Sequence, residues 1–254
     1  MTIRFYSTNL VDQATITAST ENALFPTNNL IDPRRTKVLR TTTASDNIVF
    51  DFQETSEIDS IFIVDNPFDG FGVSTLSLEM NATDAWGSPA ATETPDFSVV
   101  RGLGFTDFTT VHEYRFARLV MTSSLSYCEI SKLFIGKGIT LLNDKSINYG
   151  WSVTYKDNSR NVENRYGQRF SDVINRQKQF NIAFSNLDKD QLDQIFELYD
   201  DKGITKPFYV RIGCDGMVND NRRFSGMVYL SSAPQITNRF FNKYNLSMTL
   251  EEAM

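Results

Sequence analysis

Few residues of this chain could carry out catalytic chemistry. Its single histidine, His112, lies beside Glu113 at the start of a strand-like segment. The two cysteines, Cys128 and Cys214, lack the Cys-x-x-Cys spacing that is typical of zinc sites. Neither Gly-x-Ser-x-Gly, Ser-x-x-Lys nor His-Glu-x-x-His occurs, and there is no glycine-rich phosphate loop. The sequence therefore predicts a protein that is not an enzyme and uses no cofactor.

Aromatic residues in loops offer binding chemistry instead. Phe68, Phe71 and Trp86 fall in predicted loops, where exposed rings are costly unless they meet a ligand or a partner. Rings that stack on sugar faces would explain them, and so would a protein interface or rings that plug the core from a loop. All three residues are candidates for carbohydrate or partner binding.

Basic residues form a cluster in an otherwise acidic region. Arg34 and Arg35, with Lys37 and Arg40 close by, are further candidates for carbohydrate or partner binding. Ion pairs with neighbouring acids or with a partner subunit are the alternative. In a separate turn, Asp65 and Asp69 could offer oxygen ligands to calcium, but the full spacing of a calcium motif is missing and a plain turn is the preferred interpretation. No other metal site is predicted.

The charge is uneven along the chain, whose formal net charge is −6. Residues 1–140 hold 10 Lys/Arg and 17 Asp/Glu, whereas the remainder holds 15 and 14. The acidic half argues against a nucleic-acid-binding surface there, because binding phosphates requires clustered cations. No apolar run is long enough for a transmembrane helix, so we expect no membrane partner.

The first half of the chain, residues 1–140, is predicted to be a β-sandwich domain. Short segments rich in β-branched and aromatic residues are separated by Asn, Asp, Gly, Pro or Ser. These predicted strands are Thr15–Ala18, Ile48–Phe52, Ile58–Val64, Thr75–Met80, Tyr114–Met121 and Glu129–Ile135. Residues 81–97 carry prolines and a glycine and are predicted to form one long surface loop.

Several of these segments resemble, in order, the discoidin or galactose-binding-like jelly roll. The opening Asn29-Leu30-Ile31-Asp32-Pro33-Arg34 is followed by Ile48-Val49-Phe50-Asp51-Phe52 and by the strand from Ile58. The strand Tyr114–Met121 and the closing segment Glu129–Gly136 complete the match over roughly residues 20–138. The opening motif looks most like the form found in tail proteins of bacterial viruses. This resemblance implies a binding or assembly module.

The second half, residues 141–254, is predicted to be a β domain with one helix at about 188–202. Asp188 and Gln191 have the spacing of a capping box, and Gly203 stands where a helix would end. Apolar residues at helical spacing predict one buried face: Leu192, Ile195, Phe196, Leu198 and Tyr199.

The order of elements in this half resembles the tail-tube fold of virus tail proteins. In that family the sheet lines a ring, usually a hexamer, and the helix packs outside it. In the last strand Tyr244, Leu246, Met248 and Leu250 alternate with polar residues. The polar residues Asn245, Ser247 and Thr249 are the predicted channel-lining residues, because an uncharged face would let DNA slide past.

These resemblances predict a structural component of a bacteriophage tail tip or baseplate, located in the virion tail and made in the host cytoplasm. Its expected partners are further copies of itself in a homohexameric ring, other tail and baseplate proteins, host glycans, and DNA as transient cargo. The alternative is a carbohydrate-binding module that recognises the host surface. A glycan-degrading enzyme with a jelly-roll accessory domain is a third hypothesis, but it lacks a candidate catalytic centre.

Overall fold

The structure, a computed structural model, divides the chain into two compact units. It describes residues 3–64, 73–95, 103–141, 147–172, 174, 176–213 and 224–253. The sandwich unit is Tyr6–Ile139, and the helix unit combines Met1–Phe5 with Thr140–Met254. The sequence assigned all of residues 1–140 to the first domain. The structure differs at the start of the chain, because the first strand pairs within the sheet of the helix unit.

The sandwich unit consists of antiparallel strands. They are β2 (Thr15–Ala18), β3 (Leu39–Arg40), β4 (Ser45–Val64), β5 (Val73–Asn81), β6 (Ala91–Glu93), β7 (Leu103–Ser123), β8 (Glu129–Ile130) and β9 (Lys132–Gly136). The larger sheet has the order β2-β4-β7-β5-β6, with β9 also paired to β4. Strands β3 and β8 form a small separate sheet. Two short 3-10 helices, Leu10–Gln13 and Thr27–Leu30, complete the described part of this unit.

Strand β4 carries much of the core of the sandwich unit. Its first part alternates, so that Ile48 and Phe50 are buried while their neighbours are less so. Its second part, from Ile58, is buried on both faces, and Phe62 packs edge-on against Tyr6 and Phe134. The sequence predicted two strands here. The structure has one strand whose pairing with β7 shifts register between Asp51 and Ser56, around Gln53 at φ 70°.

The helix unit combines an eight-stranded sheet with a single described α-helix. Its strands are β1 (Ile3–Tyr6), β10 (Ile139–Thr140), β11 (Ser152–Asp157), β12 (Arg160–Glu163), β13 (Arg169–Asp172), β14 (Arg176–Leu187), β15 (Phe208–Ile212), β16 (Ser225–Leu230), β17 (Gln235–Phe240) and β18 (Lys243–Glu252). The order is β10-β1-β15-β16-β18-β14-β11, and β17 also pairs with β18. Strands β12 and β13 form a separate hairpin. The predicted alternating strand over Tyr244–Leu250 lies within β18, which a turn at Phe241 and Asn242 connects to β17.

The helix α1 (Lys189–Lys202) confirms the sequence prediction closely. Asp188 accepts a hydrogen bond from the Gln191 backbone N–H at 2.9 Å, and the Gln191 side chain accepts from the Asp188 N–H at 3.0 Å. These two bonds satisfy donors that would otherwise have no partner at the helix start. Gly203, at φ 53°, ends the helix with a backbone geometry that glycine adopts readily.

The predicted buried face of α1 is wrong at one position. Leu192, Ile195 and Leu198 are buried in the core of the helix unit, but the Phe196 residue is 41% exposed. Each residue advances about 100° around a helix, so Phe196 turns away from the centre of the face that Leu192 and Ile195 define. The spacing rule included Phe196 because it lies four residues after Leu192, at the margin of the stripe.

The predicted fold class, mostly β with one packed helix, is confirmed. The predicted loop over residues 81–97 needs correction, because it contains strand β6, which pairs with Leu78–Met80 of β5. The short β6 segment, Ala-Thr-Glu, lies between prolines and has no alternating pattern that would reveal a strand. No helix among the described residues is long and apolar enough to cross a membrane.

Candidate functional site

The loop of the Asn-Leu-x-Asp-Pro-Arg motif is held in place by buried polar contacts. The Asn29 side chain donates to the Val38 carbonyl at 2.8 Å, which closes the loop. The buried Lys132 ammonium donates to the carbonyls of Asn29 at 2.6 Å and of Lys37 at 3.3 Å. Burial lowers the pKa of Lys132 to about 8, even though Asp32 acts to raise it. These side-chain contacts fix the backbone of the loop, so the motif has a structural role.

The two arginines of this loop that were predicted to bind a ligand or partner differ in their hydrogen-bond partners. Arg34 donates from Nε and Nη2 to the Asp32 carboxylate at 2.9 and 2.6 Å, and these hydrogen bonds lower the pKa of Asp32. Arg35 is half-buried, and its Nε atom has no hydrogen-bond partner among the described residues. Arg34 therefore forms the local ion pair that the sequence considered as the alternative to ligand capture.

Arg40, the last member of the basic cluster, is held in a contact set that the sequence did not predict. The guanidinium carbon lies 4.4 Å from the centre of the Phe25 ring and 4.3 Å from that of Tyr127. Its Nε donates to Glu129, its cross-strand neighbour, at 2.7 Å. Backbone bonds of Arg40 with Asn22 and Phe25 fix the loop that carries Phe25. We name these four side chains (Phe25, Arg40, Tyr127, Glu129) the Arg40 cluster.

Trp86 belongs to a second cluster of a guanidinium, a ring and carboxylates. The loop between β5 and β6 folds back because the Asn81 side chain donates to the Ala85 carbonyl at 2.6 Å. The half-buried Trp86 then lies with its ring centre 4.8 Å from the Arg118 guanidinium carbon, and its indole N–H donates to Asp84 at 2.6 Å. Arg118 on β7 pairs across the sheet with Glu79 on β5. We name this set (Glu79, Asp84, Trp86, Arg118) the Trp86 cluster.

The Trp86 cluster keeps one hydrogen-bond donor group and one acceptor atom unused. Arg118 donates from Nε at 2.7 Å and from Nη2, and both bonds go to the same oxygen, Oε2 of Glu79. Within the described part of the chain, the Arg118 Nη1 group and the Glu79 Oε1 atom therefore have no partner. Both side chains are partly accessible, at 21% and 17%. The arrangement can bind a polar ligand that also presents a face to the indole ring.

A third feature lies on the sheet of the helix unit. Leu246, Met248 and Leu250 of β18 are buried against the helix, which confirms the predicted alternation. The intervening Asn245, Ser247 and Thr249 occupy the opposite face of the strand. The paired strands continue this surface with amide and hydroxyl side chains. We name it the polar face: Ser152, Thr154, Gln179, Asn181, Ala183, Gln235, Thr237, Asn245, Ser247 and Thr249.

Hydrogen bonds connect the polar face across three strands. Thr249 donates to the Asn181 side-chain oxygen at 3.1 Å, and the Asn181 amide donates to Ser152 at 3.3 Å. In the next row Thr154 donates to the Gln179 side-chain oxygen at 3.4 Å. Glu251 lies in this row opposite Gln179 and accepts from the Gln179 amide at 3.2 Å, and Lys156 lies 3.8 Å from Glu251. The polar face therefore has its own side-chain network, and its named residues are uncharged, with Glu251 and Lys156 adjoining them.

The remaining residues singled out from the sequence are the loop phenylalanines, the calcium candidates and the single histidine. Phe68, Phe71, Asp65 and Asp69 lie outside the described residues. Within the described ranges, no group of three or more His, Cys, Asp or Glu side chains could hold a metal ion. The ring of His112 lies 2.8 Å from a Glu93 carboxylate oxygen, within the sheet. The Arg40 cluster was not predictable from the sequence, because its members are scattered along the chain and meet only through the β3–β8 pairing.

Comparison with known proteins gives structural matches only. No family model matches the chain, and no curated protein matches it. A family 32 carbohydrate-binding module of Clostridium perfringens NanJ in complex with galactose matches with TM-score 0.43 and 11% identity, over 52% of this chain and 98% of that one.

Two further modules match over a similar extent. A fucose-binding module of Streptococcus pneumoniae gives TM-score 0.43 and 12% identity, over 51% of this chain and 98% of that one. The lectin domain of lectinolysin complexed with Lewis B antigen gives 0.45 and 9%, over 52% and 98%. Matches this distant assign neither a ligand nor a site to the chain.

Proposed function

We propose that the sandwich unit binds carbohydrate at the Trp86 cluster. The observation that supports this is the unused donor and acceptor of Arg118 and Glu79 beside the half-buried indole of Trp86. A pyranose offers one face of C–H groups and a rim of hydroxyls, each of which can donate and accept. The indole ring suits the C–H face, and the guanidinium–carboxylate pair suits the hydroxyls. Small-molecule sites commonly combine an apolar wall with a few polar groups in this way.

The Arg40 cluster has similar residue types but suits a structural role. Two rings pack on its guanidinium instead of one, and its acid partner Glu129 is buried. Such a cluster joins the loop of Phe25 to the segment of Tyr127 through a cation held between π systems. Of the two clusters, the Trp86 cluster is therefore the proposed ligand site.

Tryptophan fluorescence tests this proposal directly. The chain has two tryptophans, so a Trp151→Phe variant leaves Trp86 as the only indole reporter. We expect galactose- or fucose-terminated glycans to change its emission with millimolar to micromolar affinity. Arg118→Met should weaken binding at least ~10-fold, about 1.4 kcal/mol. Tyr127→Ala in the Arg40 cluster is the matched control and should leave affinity unchanged. Absence of binding to any such glycan at millimolar concentration would overturn the proposal.

We propose, as a second function, that the helix unit assembles into a ring in the tail of a bacterial virus, with the polar face lining its channel. The observation that favours this is the low charge of the polar face, whose named residues are all uncharged and whose adjoining charges are Glu251 and Lys156. Exposed protein surfaces normally carry about 25–35% charged residues. A conduit for DNA is an environment that selects against them, because fixed cations would bind phosphate.

The ring proposal is tested by mass and by imaging. In solution the chain should assemble into particles whose mass, from light scattering, is a multiple of 28.9 kDa. Electron microscopy should show a closed ring with an open centre. A chain that stays monomeric at every concentration, or that forms only open aggregates, would contradict this second function. Glycan binding by the sandwich unit would be unaffected by that outcome.

A further inference from the structure

The hairpin of β12 and β13 in the helix unit is exposed and available for contact with another molecule. Strands β12 and β13 pair only with each other, and every residue of the two strands is exposed. The turn between them is well formed. The Asn164 side-chain oxygen accepts from the backbone N–H of Tyr166 at 2.9 Å and of Gln168 at 3.0 Å, and Gly167 adopts φ 77°. We name residues 160–172 the arm.

The arm exposes apolar side chains together with arginines. Val162 and Phe170 are direct cross-strand partners on one face, and their residues are 63% and 59% exposed. Tyr166 at the turn is 73% exposed. A lone two-stranded hairpin is at best marginally stable in water, and exposed apolar side chains raise its cost. Arg165 and Arg169 form no ion pair with any described residue. These features fit a contact with an acidic surface that also carries an apolar residue.

The outer side of α1 has this complementary character. Asp193, Phe196, Glu197 and Asp200 follow the spacing i, i+3, i+4, i+7, which places them on one side of the helix. We name these four residues the outer helix face. All four are exposed, and the three carboxylates have no ion-pair partner in the described part of the chain. Like charges at this spacing destabilise a helix by a few tenths of a kcal/mol. The face therefore carries uncompensated negative charge around an exposed ring.

We propose that the arm of one copy docks on the outer helix face of the next copy, with Phe170 beside Phe196 and Arg165 and Arg169 opposite the carboxylates. The two surfaces are different regions of the same chain, so the contact is heterologous, which is the kind of contact that forms a ring when the rotation between copies closes. The occupant is a second copy because the chain carries both complementary halves. This inference rests on the proposed ring and specifies the contact that forms it.

Charge reversal in two separate variants gives a decisive test. Variant one carries Arg165→Glu and Arg169→Glu, so that its arm and its outer helix face are both negative. Variant two carries Asp193→Lys and Glu197→Lys, so that both are positive. We expect each variant alone to need at least ~10-fold higher concentration than the unmodified chain for assembly, measured by light scattering after size-exclusion chromatography. A one-to-one mixture should assemble again with the two variants alternating, since each contact between unlike variants pairs opposite charges.

Controls and outcomes separate this contact from the ring itself. Glu54→Lys and Glu113→Lys change exposed charges in the sandwich unit and should leave assembly unchanged. Should either double variant unfold, as judged by circular dichroism, the single changes Arg169→Glu and Glu197→Lys are used in the same mixing design. If the variants assemble like the unmodified chain, or the mixture fails to recover, the arm contact is wrong while the ring stands. If the unmodified chain never assembles, the ring proposal falls and the contact with it.

Discussion

The two faces of the sheet in the helix unit come from alternate residues of the same strands, yet they differ in every chemical respect. On β14 the residues Phe180, Ile182 and Phe184 are buried in the core, while Asn181 between them carries the polar network. The first face excludes water and supplies the hydrophobic core. The second carries mainly amide and hydroxyl side chains with little charge, and it adds a network of partly exposed hydrogen bonds.

The largest expected difference between the faces is in stability. Phe184→Ala removes a fully buried ring and should lower the free energy of unfolding by about 3–5 kcal/mol. Ser247→Ala on the polar face should change it by less than about 0.5 kcal/mol, because Ser247 is exposed. Urea denaturation of both variants measures the two values. Similar losses from the two would show that the polar face is packed against something and is not a free surface.

The helix allows the same comparison within a single turn. Ile195→Ala should cost about 2–5 kcal/mol, because its side chain is buried in the core. Phe196→Ala, one residue on, should cost at most about 1 kcal/mol of stability. It should nevertheless weaken assembly of copies, since it removes the apolar centre of the outer helix face. Thermal or urea unfolding measures the two stability changes, and light scattering measures the effect of Phe196→Ala on assembly. A large loss of stability from Phe196→Ala would restore the buried position that the sequence predicted.

How far the sequence predicts these features depends on how local their causes are. The capping box of α1 and the alternation of β18 involve residues a few positions apart, so both can be predicted from the sequence. Strand β6 is not, because three residues between prolines become a strand only through pairing with β5. The Arg40 cluster joins residues about 100 positions apart in the chain, and only the β3–β8 pairing brings them together. Trp86 was predicted as a binding residue from its loop, but its partner Arg118 was not.

A smaller effect should come from breaking the side-chain network of the polar face. Asn181→Ala removes the bonds to Ser152 and Thr249, and should cost about 1 kcal/mol, the usual net value for partly exposed hydrogen bonds. Gln235→Ala, on the same face but with an exposed side chain that forms no such bond, should be close to neutral. Paired urea denaturation of the two variants distinguishes them. Equal values would mean that the network adds nothing beyond the strand pairing.

A modest effect on folding should accompany a large effect on DNA. Asn245→Lys, Ser247→Lys and Thr249→Lys together should cost about 1–2 kcal/mol, because Thr249 loses its bond to Asn181 and Asn245 loses its bond from the Asn186 N–H. If the polar face lines a channel, the assembled triple variant should retain double-stranded DNA in gel-shift experiments. Its affinity should fall steeply with salt, with a slope of about 0.9 for each phosphate contacted.

The control for that experiment carries the same added charge elsewhere. Thr109→Lys, Thr110→Lys and Ser124→Lys place three lysines on exposed positions of the sandwich unit. Lysines that line a closed ring all contact the same DNA duplex in the channel. Lysines on the outside contact DNA only through the few that each copy presents. Retention by the first variant and not by the second therefore locates the polar face at the channel. Equal retention by both would reduce the effect to net charge, and the low charge of the polar face would need another cause.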